Sequence, residues 1–183
     1  MLFFVYGNKA GIAKFNNNWV TTMNIKTKFA SLLIAGTLAI SAAAAFAADK
    51  GPLQIAMNAY AISTDAQGNE VATATKEVDR KSTVEFRAVY KNNSADELSN
   101  VMVVGPIPKT TEYQADTAHA PVDAAFEVSI DGGKTFEGEP VKRMVENVET
   151  IIPASQYTHV RWMPTEGIPG NAEQVYSYRV KVK

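Results

Sequence analysis

The sequence predicts an all-β protein, an antiparallel β-sandwich of about seven to nine short strands. Two observations predict it. From Leu53 onward the apolar residues recur with a period of two rather than 3.6, and turn-forming clusters interrupt them roughly every 10 to 25 residues. The clusters are DAQGN at 65–69, KNNSADE at 91–97, GPIPK at 105–109, DGG at 131–133, IPAS at 152–155 and PTEGIPGN at 164–171.

The chain before the strands reads differently. Residues 23–47 have the pattern of a secretory signal peptide: Lys26 and Lys28 form a positive start, Phe29 to Ala44 form an uncharged apolar and small-residue run, and Ala45-Phe46-Ala47 supplies a small-x-small cleavage site. Cleavage is expected after Ala47, leaving Ala48 as the new N-terminus and no membrane anchor in the mature chain. Residues 1–22 precede Met23 and read as a misassigned N-terminal extension. Domain organisation is then 1–22 extension, 23–47 signal peptide and 48–183 a single β-sandwich domain, of a size that can bury a core. The protein is expected in the periplasm or at the cell surface.

Within residues 48–183, 14 Lys and Arg face 19 Asp and Glu, a net charge of −5. The basic residues Lys76, Arg80, Lys81, Arg87 and Lys91 are interleaved with Glu77, Asp79 and Glu85, which reads as a solvated strand face and offers no phosphate-tracking stripe for nucleic acid. No cysteine is present, so disulfides, thiol nucleophiles and lipid attachment through Cys are excluded.

The strands follow in order. LQIAMNAYAI at 53–62 is the expected edge or donated strand. TVEFRAVYKN at 83–92 sets Val84, Phe86, Ala88 and Tyr90 on one face against Glu85, Arg87 and Lys91. VMVVGPIP is expected to end at an edge or sheet rim, because Pro106 and Pro108 have no N–H for a ladder. AFEVSID turns Phe126, Val128 and Ile130 inward, and QVYSYRVKVK does the same with Tyr176, Tyr178, Val180 and Val182.

VSIDGGKTF at 128–136 raises the question of a phosphate loop or a cation site. A phosphate loop needs a helix after its glycines, and TFEGEPVKR has no helical period. A calcium loop needs alternating carboxylates, and none lies between Asp131 and Glu137. Asp131, Gly132 and Gly133 therefore read as a hairpin turn, with the return strand starting at Thr135 and Phe136.

Four stretches together resemble the immunoglobulin-like "conserved repeat" domain of exported bacterial proteins, a family of unknown function. They are VYKNNSADELSNVMVVGPIPKTTEY (89–113), FEVSIDGGKTF (126–136), YTHVRWM (157–163) and VYSYRVKV (175–182). The first is the most specific, a strand ending in Tyr-x-Asn followed by a second strand and Pro-x-Pro-x-x-x-x-Tyr. The resemblance implies an immunoglobulin-like sandwich acting as a scaffold or interaction module, with no catalytic residues to carry over. The family's usual tandem copies are here a single copy with an added N-terminal segment.

No residue pattern calls for a catalytic site, a cofactor or a metal. His119, near Asp116 and Asp123, reads as an exposed loop histidine; His159 alternates with Tyr157 and Arg161; Ser129 and Ser155 have no base in sequence. Asn92-Asn93-Ser94 matches a glycosylation sequon. The expected activity is non-enzymatic: contact with a protein partner, or self-association, in the cell envelope. The alternative is a carbohydrate- or small-ligand-binding face around Tyr157 and Trp162.

Overall fold

A computed structural model describes Thr37–Ala39 and residues 51–183. Thirteen strands appear: β1 (Thr37–Ala39), β2 (Leu53–Thr64), β3 (Glu70–Ala74), β4 (Glu77–Asp79), β5 (Thr83–Asn92), β6 (Val103–Pro106), β7 (Thr111–Tyr113), β8 (Ala124–Ser129), β9 (Glu137–Gly138), β10 (Lys142–Val145), β11 (Val148–Ile151), β12 (His159–Pro164) and β13 (Glu173–Val182). The one helical turn among the described residues is a 3₁₀ turn at Ala154–Gln156. The protein is all-β, and every strand pairing is antiparallel.

Nine strands build two larger sheets, ordered β3-β2-β5-β13-β7 and β6-β12-β8-β9. The remaining strands form the separate pairs β1-β4 and β10-β11. Of the predicted extension and signal peptide, only Thr37–Ala39 is described, in register with Glu77–Asp79; the cleavage site Ala45, Ala47 and Ala48 lies outside the described residues.

Alternation dictates the core. On β5 the residues Val84, Phe86, Ala88 and Tyr90 are buried, and on β13 so are Tyr176, Tyr178, Val180 and Val182. The two sheets meet through their aromatic rings. Trp162 of β12 contacts Tyr176 and Tyr178 of β13 at centroid distances of 5.7 and 6.0 Å, and Tyr113 of β7 lies 6.3 Å from Phe126 of β8. Such tilted ring pairs add to the stabilisation from burial alone. At Gly105 the layers come so close that a Cβ there would stand 2.5 Å from the Tyr178 ring. The Tyr178 hydroxyl donates to the Pro106 carbonyl, which locks that strand end. β6 is an edge strand, as suits Pro106 at its end.

Asn92, at the end of β5, is fully buried. Its Nδ2 donates to the carbonyls of Asp96 (2.7 Å) and Ile168 (2.9 Å), while its Oδ1 accepts from Ser94 N (2.9 Å). One side chain thus ties the loops after β5 and before β13 together, and the sequon asparagine is closed to modification in the folded protein.

The outward residues of β5 depart from the expected solvated face. Glu85 is only 8% exposed, covered by Arg87 Nε at 2.7 Å and Arg179 Nε at 2.9 Å. Burial by itself would raise its carboxyl, but the two guanidiniums outweigh that and hold it below the ordinary range. Arg87 also lies over the Tyr60 ring, 4.2 Å from its centroid.

Candidate interaction surface

The segment expected as an edge or donated strand, 53–62, is β2, in register with β5 from Leu53↔Asn92 to Ile62↔Thr83. On its other side β3 pairs only with Tyr60–Thr64, so among the described residues Leu53–Ala59 lies at the sheet edge and the rest of the strand is interior. Its apolar residues Leu53, Ile55, Met57 and Ala61 pack against the core. Alternation alone does not say how many neighbours a strand has.

The predicted ligand face is also overturned. Trp162 is 1% exposed and Tyr157 5% exposed. Trp162 is enclosed by Phe126, Tyr176 and Tyr178, and the Tyr157 hydroxyl accepts the Val141 N–H at 3.2 Å. A ring without solvent on either face cannot stack a sugar.

The Asp131 loop does connect antiparallel neighbours, β8 and β9, as a hairpin must. It is wider than the expected turn: the return strand begins at Glu137 and not at Thr135. The reason is the aspartate, which organises the loop about itself. Asp131 Oδ1 accepts from Ser129 Oγ (2.8 Å), Lys134 N (3.0 Å) and Thr135 N (3.0 Å), and Oδ2 accepts from Thr135 Oγ1 (2.7 Å). Gly132 and Gly133 take φ of +80° and +81°, the left-handed region that glycine enters freely. The Thr135 N–H and hydroxyl and the other donors hold the carboxyl well below the carboxylate range.

Ser129, Asp131 and His159 come together here, which sequence spacing did not reveal, but they are not wired as a nucleophile and base. The Ser129 hydroxyl donates its hydrogen bond to Asp131 and accepts one from Gly133 N at 2.9 Å. His159 Nδ1 instead sits 3.2 Å from Thr158 Oγ1, and burial lowers its imidazole below the ordinary value against a smaller opposing pull from Asp131. A nucleophilic serine needs its proton on the base. His119 is exposed and pairs through its backbone with Ser177, at 2.8 and 3.0 Å. Among the described residues no three His, Asp or Glu side chains converge as a metal set.

The surface feature missed in the sequence is the β10–β11 hairpin. Glu146 and Asn147 at its tip have φ of +49° and +64°, as a two-residue primed turn demands, and Val145 pairs with Val148. Its root is fixed. Val141 is buried, Ile152 N donates to Val141 O at 2.9 Å, and Arg143 forks onto Glu137, with Nη1 at 2.7 Å from Oε2. At the same root Glu139 Oε2 accepts a hydrogen bond from the Tyr113 hydroxyl at 3.3 Å, and burial raises its carboxyl above the ordinary value.

Beyond the root the arm is bare. Met144 is 67% exposed, Val145 51%, Val148 63% and Ile151 59%. Six large hydrophobic residues are exposed among those described, and four are on this arm, so the apolar surface is concentrated rather than scattered. Met144 and Ile151 share one face with Lys142 and Glu149, which pair at 2.8 Å; Val145 and Val148 share the other. Exposed apolar side chains thus stand on both faces of the ribbon beside charged and polar ones, and the arm belongs to neither large sheet.

No protein-family model matches the chain, and no curated protein or solved structure is significantly similar to it. No helix among the described residues is long and apolar enough to cross a membrane.

Proposed function

We propose that this protein is an exported, non-enzymatic module that works by protein–protein contact in the cell envelope, built on an immunoglobulin-like β-sandwich. The single observation that carries the reading is the β10–β11 arm, with a fixed root and four exposed apolar side chains. An isolated two-stranded ribbon gains little in water, so exposed apolar residues on a held arm favour a surface that completes itself against a partner. The signal-peptide pattern of residues 23–47 supports export, and the two sheets joined through Trp162 support the sandwich. The resemblance to single immunoglobulin-like repeats agrees with an interaction role, although fold alone does not decide function.

The test is the native mass of the protein in fractionated cells of its source, comparing the wild type with the double variant Met144→Ser/Ile151→Ser. The expected result is a subunit beginning at Ala48 in a species heavier than one chain, lost in the variant. A wild type that runs as a free single chain, or a heavy species indifferent to the variant, sinks the reading.

A further inference from the structure

We infer that the partner of the arm is a second copy of the same arm, the two joined edge to edge along β11 about a two-fold axis through Thr150. This rests on the reading of the arm as a contact surface and names what covers it.

The backbone decides which groups are available. In a hairpin with a two-residue turn, the residues flanking the turn bond to each other and every second residue along the strand points its N–H and C=O away from the partner strand. Val148 therefore faces inward, as does Ile152, whose N–H is bonded to Val141. Glu149 and Ile151 face outward along an edge that has no other strand among those described. That edge reads Val-Glu-Thr-Ile, with three β-branched residues and neither lysine nor proline to protect it.

Symmetric pairing leaves few registers. Centred on Glu149, it sets like charges opposite each other, which is destabilising. Centred on Ile151, it brings Glu149 opposite Pro153, which has no N–H to give. Centred on Thr150, Glu149 of each copy exchanges main-chain bonds with Ile151 of the other, and Thr150 meets Thr150, a favourable cross-strand pair. The β10 edge offers no equal. Centred on Arg143 it opposes two guanidiniums, and centred on Met144 it needs Glu146 extended, whereas Glu146 lies at φ +49°.

Charge agrees with this choice. Lys142 and Arg143 balance Glu146 and Glu149, so two arms approach without net repulsion, although the chain from residue 48 carries −5. Pairing gives one continuous sheet that carries Met144 and Ile151 of both copies on the same face.

The experiment is sedimentation equilibrium of the full chain over a concentration series, with the variants Thr150→Lys and Thr150→Glu alone and mixed. The wild type is expected to show a monomer–dimer equilibrium. Each charge variant should dimerise roughly fivefold more weakly or worse, and their equimolar mixture should recover dimer, because unlike charges then meet on the axis. Glu149→Pro, which removes an outward N–H together with the exposed ion pair to Lys142, should weaken dimerisation more than Glu149→Gln, which removes the ion pair and keeps the N–H. A wild type that stays monomeric, or charge variants that dimerise like the wild type or fail to recombine, overturns the inference. A monomeric wild type alongside a heavy envelope species that still needs Met144 and Ile151 would overturn the second copy as partner while leaving the contact role standing.

Discussion

Two hairpins follow each other along this chain and treat their side chains in opposite ways. Between β8 and β9, the Asp131 carboxylate gathers donors from Ser129, Lys134 and Thr135 of its own loop, and strand β8 lies beside β12, which carries Trp162 into the core. Between β10 and β11, the turn is made by backbone alone, the flanking side chains are apolar, and they meet solvent. Their carboxylates record the contrast. Hydrogen-bond donors hold Asp131 below the ordinary value, whereas burial lifts Glu139, at the arm's root, above it. The comparison teaches that the stretch richest in chemistry-like residues engages them in holding its own loop, whereas the plainer stretch after it carries the exposed apolar side chains.

Variants can break this contrast or sharpen it. Trp162→Ala should have the largest effect, a loss of about 3–5 kcal/mol in thermal or denaturant unfolding, because it removes the ring that joins the sheets. Gly133→Ala should cost about 1–2 kcal/mol in the same measurement, since φ of +81° strains a side chain there.

Stability against pH separates the two carboxylates. Asp131 is depressed, so its contribution is complete above its ordinary value of 3.8 and is lost as pH falls towards the lowered folded value. Asp131→Asn should flatten the unfolding profile in the acid range below that value. Glu139 is raised, so its contribution is complete below its ordinary value of 4.5 and is lost as pH rises through the folded value. Glu139→Gln should flatten the profile just above 4.5, and a profile unchanged by both variants would remove the electrostatic half of the contrast.

The smallest effect on stability belongs to Met144→Ser/Ile151→Ser, within about 0.5 kcal/mol by chemical denaturation, because exposed side chains add little to the fold. A loss comparable to that of Trp162→Ala would mean that the arm is core after all.

Much of the fold was legible before any coordinates. Alternation placed Val84, Phe86, Ala88 and Tyr90, and likewise Tyr176, Tyr178, Val180 and Val182, on buried faces, since a period of two has one physical reading on a half-buried strand. Pro106 marked an edge because a missing N–H cannot be hidden in a ladder. The candidate site was hardly legible at all. Trp162 and Tyr157 carry amphipathic rings that suit a binding face or a core equally, and only their neighbours assign them to the core.

By itself, then, the sequence determined the all-β class, the inward residues of the long strands, and the turn at Asp131, Gly132 and Gly133, because these follow from local backbone geometry and side-chain period. Only the tertiary structure decided that the Tyr60–Thr64 end of β2 gains a second neighbour while Leu53–Ala59 keeps one, that Trp162 is sealed between sheets, and that Met144, Val145, Val148 and Ile151 are exposed. Those outcomes depend on which strands become neighbours. Neighbours are set by long-range pairing, and period-two spacing reads the same whether a face meets another sheet, solvent or a second chain.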